Sequence, residues 1–352
     1  MHIVIDTTPL IAGHKTRGIG RYTRNLVEAL QELHSDHQLT MTSDVGHTHS
    51  VDLVHYPYFE LFQNHLPFLP PGLCEVVSIH DLIPLRFPDS YKPGLRSGLN
   101  LWIQTHLIQR ASAIITDSQS SAGDIKEFLS IPDERVFVVP LGVEPAFEKK
   151  SQVLIQRVKQ KYHLPDSYLL YVGDVNVNKN LPALIEAIAK IPNVHLVLVS
   201  RALRNRHLPE VQLLHKLVEK LLISDRIREV TDVPLDPIDD LAAIYSGAIA
   251  YVQPSLYEGF GLPVLEAMAC GTPVISTKVA SLPEVAGDAA LFSGTTVMDI
   301  QTSIVKLLSD SRLRKTLSKK GLERAEKLNW HVTAQKTMDI YESVFRQKSR
   351  IS

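Results

Sequence analysis

The sequence predicts an α/β protein with parallel, doubly wound sheets, and three observations support this fold class. Short apolar runs alternate with longer stretches of helical periodicity along most of the chain. Glycine-containing loops follow several of the apolar runs, where a strand would give way to a helix. The length of 352 residues exceeds what one ordinary core supports, so two domains of this kind are expected.

The first half of the chain is expected to form one parallel sheet. A helix is predicted over 21–33, because its leucines and its alanine fall on one face, and two more are predicted over 99–110 and 121–129. Helices placed between short strands are typical of crossover connections in a parallel sheet. The predicted strands of this half are 2–5, 53–55, 76–79, 113–116 and 136–139.

A linker is predicted at 141–150, where an apolar run gives way to glycine, proline and charged residues. The same alternation then resumes, and from 298 onwards the pattern is helical. The predicted domains are therefore 1–148 and 149–329, followed by a terminal helix over 330–352. The predicted strands of the second half are 168–172, 194–200, 227–230, a run ending at Val252, and 274–277, and the predicted helices include 152–162, 181–191 and 235–245.

Composition excludes several classes of protein. A net charge of −1, with 44% hydrophobic and 21% charged residues, is typical of a soluble globular protein and gives no basis for nucleic-acid binding. Cys74 and Cys270 fit no metal spacing, and Asp236, Asp239 and Asp240 lie where a helix dipole favours acids, so no metal site is predicted. The sequence has no secretory leader and no apolar run near the roughly 20 residues that span a bilayer, which predicts a cytoplasmic protein.

The densest motif covers 255–277 and predicts a strand, a glycine loop, a helix and a second strand. Gly259 and Gly261 form the loop, Pro263 suits the first helical turn, and Gly271 is placed to end the helix. The free N–H groups of such a loop and first turn are suited to a phosphate.

Two carboxylates belong to this motif. Glu258 lies on the loop and Glu266 lies inside the helix, so both can reach one crevice. Carboxylates beside a phosphate would repel it unless they bind the hydroxyls of a sugar or ribose. On local geometry alone, glutamates favoured by the helix dipole explain the pattern equally well.

Three other loops carry candidate residues. The segment 13–21, G-H-K-T-R-G-I-G-R, opens a helix but lacks the dinucleotide fingerprint. His80, followed by Asp81, comes directly after a predicted strand, where α/β folds place ligands. Lys179 begins a helix and is suited to a phosphate. A histidine bound to local backbone and a solvated lysine are the structural alternatives.

The ordered pattern E-G-F-G-L-P-x-x-E-A-x-A-x-G-x-P-V over 258–274 resembles the signature of the retaining, nucleotide-sugar-dependent glycosyltransferases of family 4. G-I-G-R at 18–21, H-D-L-I-P at 80–84, the segment around Lys179 and L-N-W at 328–330 resemble further parts of that family. The resemblance implies the GT-B fold, with two Rossmann-like domains facing across a cleft and a C-terminal helix crossing back onto the N-terminal domain.

The resemblance also implies a role for each matching residue. Glu258 and His80 would be the catalytic residues beside the donor sugar, and Asp81 would orient His80. Glu266 would bind the ribose hydroxyls, and Lys179 the diphosphate. The other implied donor-binding residues are Gly18, Gly20, Arg21, Val233, Gly259, Phe260, Gly261 and Leu262.

One position departs from the family pattern. Asp174 stands where many members carry an arginine that would pair with the diphosphate. An aspartate replaces that attraction by repulsion, which leaves Arg21 or Arg201 as substitutes, or indicates weakened donor binding.

The expected function is transfer of a hexose from a nucleotide sugar with retention of configuration, without a metal or cofactor. The segments at 18–21 and 80–84 resemble mannosyltransferase-like members, so GDP-mannose is the expected donor. A glycan or a lipid-linked saccharide of polysaccharide biosynthesis is the expected acceptor, and a lipid-linked one would bring a peripheral contact with the inner face of the membrane.

Three alternatives stay open at this point. A sugar-nucleotide epimerase shares the architecture but would need no acceptor. A non-catalytic GT-B partner subunit would bind donor weakly, and Asp174 favours it. A nicotinamide-dependent oxidoreductase shares the α/β pattern, but no dinucleotide fingerprint opens either half.

Overall fold

The computed structural model describes residues 1–11, 18–33, 35–45, 50–63, 65–67, 73–91, 94–234 and 237–349. The chain forms two compact units. Unit 1 contains Met1–Gly142 and Leu328–Ser352, and unit 2 contains Val143–Lys327. The sequence-based boundaries are 148 and 329.

Unit 1 is built on a six-stranded sheet in which every neighbouring pair is parallel. The strand order is β2-β1-β3-β4-β5-β6, so the chain moves to one side after β1 and to the other side from β3 onwards. The strands are β1 (His2–Asp6), β2 (Gln38–Thr42), β3 (Leu53–Tyr56), β4 (Cys74–Ser78), β5 (Ala113–Thr116) and β6 (Val136–Val138).

Helices connect these strands, and apolar side chains from both faces of the sheet are buried beneath them. The first helix of substantial length begins at Gly18, three residues before its predicted start at 21. The helices that precede unit 2 are α1 (Thr8–Ile11), α2 (Gly18–Glu32), α3 (Ile83–Arg86), α4 (Leu95–Ile108) and α5 (Gln119–Leu129).

The strand β2 is absent from the sequence-based prediction. Its sequence, Q-L-T-M-T, carries three polar residues and lies at the edge of the sheet, paired with β1 alone. An edge strand is covered less completely than a central one, so it does not need the continuous apolar run by which the central strands are recognised.

Unit 2 has a second six-stranded parallel sheet, with the order β12-β11-β10-β7-β8-β9. This is the doubly wound order in which the chain reverses direction between two central strands, here β7 and β10. The strands are β7 (Leu169–Val172), β8 (Leu196–Val199), β9 (Ile227–Val230), β10 (Ala250–Gln253), β11 (Val274–Thr277) and β12 (Ala290–Ser293).

The helices of unit 2 cover its sheet, and the core beneath α7, α8 and α12 is rich in Leu and Ile. The predicted helix over 235–245 begins later than expected, at Asp239, and residues 235 and 236 lie outside the described residues. The helices are α6 (Gln152–Tyr162), α7 (Leu181–Ala189), α8 (Pro209–Lys220), α9 (Asp239–Ser246), α10 (Leu262–Ala269), α11 (Leu282–Ala286), α12 (Val297–Ser309) and α13 (Ser311–Lys327).

The terminal helix α14 (Trp330–Ser349) belongs to unit 1, where it packs beside α2 and the sheet. Its buried face includes Trp330, Thr333 and Tyr341. The Thr333 hydroxyl donates to the carbonyl of Pro140 at 2.9 Å, at the end of the strand segment that leaves unit 1. The beginning of α14 is therefore fixed against the segment from which the chain enters unit 2.

Gly142 lies where the backbone after β6 comes very close to the backbone at the start of α14. A Cβ atom at Gly142 would lie 2.2 Å from the backbone nitrogen of Trp330 and 2.4 Å from the carbonyl carbon of Asn329. Backbone atoms cannot rotate away as a flexible side chain can, so a larger residue fits only if the backbone itself shifts.

We expect Gly142→Ala to destabilise unit 1 by about 1–3 kcal/mol, because the added methyl group forces the start of α14 outwards. The matched control is Gly123→Ala in α5, where a Cβ atom meets nothing within 4 Å and alanine is the better helix former. Thermal unfolding of both variants checks this. Equal melting temperatures for the two variants would show that the contact at Gly142 is not close.

Candidate functional site

The candidate residues of unit 2 meet at the point where the strand order reverses. β7 and β10 are hydrogen-bonded neighbours, and both point their carboxyl ends towards the same edge. Lys179 follows β7 and Glu258 follows β10. Loops that leave such a pair of strands in opposite directions create a crevice, which is where open α/β sheets bind ligands.

Glu258 is the centre of a dense polar cluster in this crevice. Its side chain is buried, and the Lys179 Nζ atom donates to both carboxylate oxygens at 2.8 Å. The Gln253 amide and the Ser255 hydroxyl each donate to Oε1 at 2.7 Å. Four donor contacts hold the carboxylate in one orientation, and charge-assisted bonds of this kind are the strong ones.

Side-chain amides join the two loops that carry this pair. Asn178 donates to the carbonyl of Tyr257 at 3.0 Å, and Asn180 donates to the carbonyls of Pro254 at 3.0 Å and Thr295 at 2.9 Å. The loop after β7 is thereby attached to the loop after β10, so the position of Lys179 relative to Glu258 is set by several bonds.

The glycine loop 259–261, which leads into α10, is closely packed against neighbouring side chains. Gly261 has φ +102, and a Cβ atom there would lie 2.7 Å from Leu282. The Ser281 hydroxyl donates to the carbonyls of Glu258 at 2.9 Å and Phe260 at 2.8 Å. Gly259 and Phe260 are buried in this loop, Leu262 begins α10, and Pro263 occupies its first turn, as expected.

Glu266 lies inside α10 and is almost fully buried. Its Oε2 atom accepts a hydrogen bond from the Tyr245 hydroxyl at 2.8 Å. Burial, followed by the charges of its neighbours, raises the pKa of Tyr251 well above its ordinary value, and those neighbours include both Glu258 and Glu266. Both carboxylates are therefore within electrostatic reach of the Tyr251 hydroxyl.

The basic side chains near this crevice differ from the arginine and lysine that many members of the family would place against the diphosphate. Lys179 is paired with Glu258, and its side chain is 18% exposed. Asp174 and Arg201 are both exposed, at the ends of β7 and β8. Val233, one of the implied donor-binding residues, is buried just after β9. Residues 235 and 236, which follow it closely, lie outside the described residues.

The candidate residues of unit 1 lie at the carboxyl edge of its own sheet. His80 follows β4, and its Nδ1 atom lies 2.8 Å from the Asp117 carboxylate, which follows β5. Its Nε2 atom lies 3.1 Å from the carbonyl oxygen of Pro57. Burial opposes the charged ring, but the charge and hydrogen bond of Asp117 outweigh it, so the pKa of His80 is raised.

Asp81 makes a local bond to the backbone. Its Oδ1 atom accepts a hydrogen bond from the backbone N–H of Ile83 at 3.0 Å, at the beginning of α3. An aspartate commonly binds the backbone two residues ahead in this way. The carboxylate that orients the His80 ring is that of Asp117, which is 37 residues away in sequence.

The glycines of the predicted G-I-G-R segment form the first turn of α2. Gly18 is exposed, Gly20 is buried and Arg21 is half-buried. Residues 13–17 of the predicted loop lie outside the described residues. Among the residues that the structure describes, no group of three or more His, Cys, Asp or Glu side chains is arranged to hold a metal ion.

Several residues of these clusters were not predicted from sequence. Ser255 is the first residue of the recognised motif and Gln253 lies two residues before it, so the motif itself could have directed attention to them. Asn178 and Asp117 carry no local signal, because each acts on a residue brought close by strand pairing.

Comparison with known proteins agrees with this geometry. The protein-family model described as "Glycosyl transferases group 1" matches residues 155–324. The family model described as "Glycosyltransferase Family 4" matches residues 43–147. The O-antigen chain mannosyltransferase B of Escherichia coli is 31% identical over 90% of this chain and 80% of its own length.

A second relative is the serotype-specific mannosyltransferase WbdA of Escherichia coli, 33% identical over 77% of this chain; the chain spans 34% of that longer protein. In structure, sucrose-phosphate synthase from Thermosynechococcus elongatus matches with a TM-score of 0.76 and 22% identity, covering 98% of this chain and 99% of its own. The glycine loop, the strand orders and these matches agree, and the chain therefore belongs to the family 4, group 1 glycosyltransferases and has the GT-B fold.

Proposed function

We propose that the protein is a retaining mannosyltransferase that uses GDP-mannose as its donor. The observation that carries this proposal is the Lys179–Glu258 pair beside the glycine loop, at the reversal point of the unit 2 sheet. The names of the two Escherichia coli relatives, both mannosyltransferases, support mannose as the sugar.

In this proposal the donor diphosphate lies against the amides of the glycine loop and the start of α10. Free N–H groups at the start of a helix favour an anion. Lys179 is a cation whose bonds to Glu258 hold it at this edge of the sheet. Fixed charges of this kind stabilise the departing diphosphate without having to reorganise during the reaction.

In the same proposal Glu258 acts on the donor sugar. A carboxylate fixed by Lys179, Gln253 and Ser255 can accept hydrogen bonds from hydroxyl groups or stabilise positive charge that develops on a sugar ring. In the proposed mechanism the leaving phosphate takes the proton of the acceptor hydroxyl, so configuration is retained without a covalent enzyme intermediate and without a metal. Activity that persists in EDTA, with an α-linked product, would support both features.

The alternatives are less favoured. An epimerase and an oxidoreductase would not account for relatives that transfer mannose or for matches to two glycosyltransferase models. A non-catalytic partner subunit would not require the buried network around Glu258. Asp174, exposed and acidic at the end of β7, stays the one residue that favours weak donor binding.

A lipid-linked acceptor is supported by a surface of α4 in unit 1. Leu99 and Trp102 are 58% and 60% exposed. Arg96, in the first turn of α4, and Arg110, just after its last residue, are also exposed. Residues 95–110 contain no aspartate or glutamate. An exposed tryptophan among cations suits the surface of an anionic bilayer. We propose a peripheral contact through this surface. In the described part of the chain no helix is long and apolar enough to cross a membrane.

A ligand panel tests the donor. We expect GDP-mannose to raise the melting temperature, since a donor at 100 times its Kd adds about 2.7 kcal/mol to the free energy of unfolding. UDP-glucose, ADP-glucose and dTDP-glucose should add little. If another nucleotide sugar binds instead, the donor assignment is wrong. If none binds, the partner-subunit alternative replaces the enzyme.

Replacing Glu258 tests the centre of the site. We expect Glu258→Gln to lower turnover with GDP-mannose by about 10²–10³, because the amide keeps the shape but removes the charge that Lys179, Gln253 and Ser255 orient. Circular dichroism checks that the fold is kept. The matched control is Glu219→Gln on the exposed side of α8, for which no change is expected. An active Glu258→Gln variant would contradict the assignment.

Flotation with lipid vesicles tests the surface of α4. We expect Leu99→Asp to reduce binding to vesicles of phosphatidylglycerol and phosphatidylcholine by about tenfold, because it places a charge on the apolar, cationic face. Leu213→Asp in α8 is the control, since Leu213 is 57% exposed in the other unit. Equal binding by both variants would exclude α4 as the contact, and a dimer lost only with Leu99→Asp would identify a protein interface.

A further inference from the structure

The His80 ring is held from three directions within unit 1. Asp117 lies at Nδ1, the carbonyl of Pro57 lies at Nε2, and the Tyr22 ring packs edge-on with a centroid separation of 4.4 Å. Tyr22 belongs to α2, Pro57 follows β3 and Asp117 follows β5. The ring therefore has little freedom to rotate.

Tyr22 is itself anchored by a chain of buried hydrogen bonds. Its hydroxyl lies 2.9 Å from the Ser78 hydroxyl, which lies 2.9 Å from His55 Nε2. His55 Nδ1 in turn lies 2.5 Å from the hydroxyl of Tyr341 in α14. All four side chains are buried, so water cannot easily replace a broken bond in this chain.

The partners of His80 also indicate its charge. A carbonyl oxygen can only accept, so Nε2 carries a hydrogen atom. When the Asp117 carboxylate accepts from Nδ1 as well, both ring nitrogens donate, which is the imidazolium form. In that form His80 is a fixed cationic donor, and it cannot act as a general base.

We propose that Asp117 and Tyr22 are positioning residues that hold His80 as a fixed cation at the carboxyl edge of the unit 1 sheet, and that Ser78, His55 and Tyr341 make the C-terminal helix part of this support. The consequence for turnover rests on the proposed function, because it requires His80 to act on the donor. The geometry of the support does not depend on that function.

Among the titratable groups around His80, Asp117 has the largest part in keeping the ring protonated. Burial lowers the pKa of His55 to about 3, so that ring is neutral near pH 7. Burial raises the pKa of Tyr22 far above the neutral range, so its hydroxyl is also neutral. The charge of Asp81 raises the pKa of His80 less than that of Asp117 does, and Asp117 makes the direct bond. Burial raises the pKa of Asp117, and the positive ring beside it opposes that rise.

The test is an NMR titration of the His80 ring nitrogens in the full-length protein, combined with pH profiles of kcat and KM for GDP-mannose. We expect a pKa above the ordinary 6.5 in the unaltered protein and below it in Asp117→Asn, where burial acts without the opposing charge. In Asp117→Asn, kcat should then fall as the pH rises through the lowered pKa, while KM changes less than about twofold.

The hydrogen-bond chain is tested by removing single hydroxyl groups. Tyr22→Phe and Tyr341→Phe should each lower kcat by about tenfold and shift the His80 titration, because a small displacement of a catalytic group is costly. Tyr56→Phe is the matched control, because Tyr56 is also buried in unit 1 but its hydroxyl has no hydrogen-bond partner among the described residues. It should change neither measurement.

An unchanged His80 pKa in Asp117→Asn would overturn the proposal, as would a pKa below 6.5 in the unaltered protein. If Asp117→Asn does not fold, the two tyrosine variants decide: titrations identical to that of Tyr56→Phe would overturn it. If the titrations respond as expected but GDP-mannose is neither bound nor turned over, the support is upheld and the proposed function fails.

Discussion

The ion pair between Lys179 and Glu258 is the interaction on which the site in unit 2 depends. It joins the loops that leave β7 and β10, the two strands between which the strand order reverses. Because all strands of the sheet are parallel, both loops lie at the same edge. Gln253, Ser255 and the amides of Asn178 and Asn180 then fix the pair, so a carboxylate, a cation and a glycine loop stay in one arrangement.

In unit 1, too, the ends of parallel strands bring a cluster of side chains together at one edge of the sheet. The carboxyl ends of β3, β4 and β5 are neighbours, and they bring together Pro57, His80 and Asp117. The second support comes from the end of the chain, because α14 belongs to unit 1 and places Tyr341 on His55. The close packing at Gly142 and Trp330 fixes the beginning of that helix. Residues far apart in sequence therefore determine the orientation of the His80 ring.

Local sequence was a good guide wherever the signal was itself local. The glycine loop, the proline in the first turn of α10 and the left-handed Gly271 appear where the motif predicts them, because each depends on backbone preferences of a few residues. The signal failed where partners are distant. Asn180 stands at the start of α7 without a side-chain cap bond, because its side chain bonds to the carbonyls of Pro254 and Thr295. The edge strand β2 carries too few apolar residues to be recognised.

The sequence by itself determined the fold class, the family resemblance and the positions of Glu258, His80 and Lys179, because periodicity, loop chemistry and motif order are written in consecutive residues. Only the tertiary structure decided which side chains hold them. Lys179 is paired with Glu258, His80 is bonded to Asp117, and Glu266 accepts a hydrogen bond from Tyr245. The physical reason is that strand order determines which loops become neighbours, and strand order is set by the packing of the whole sheet.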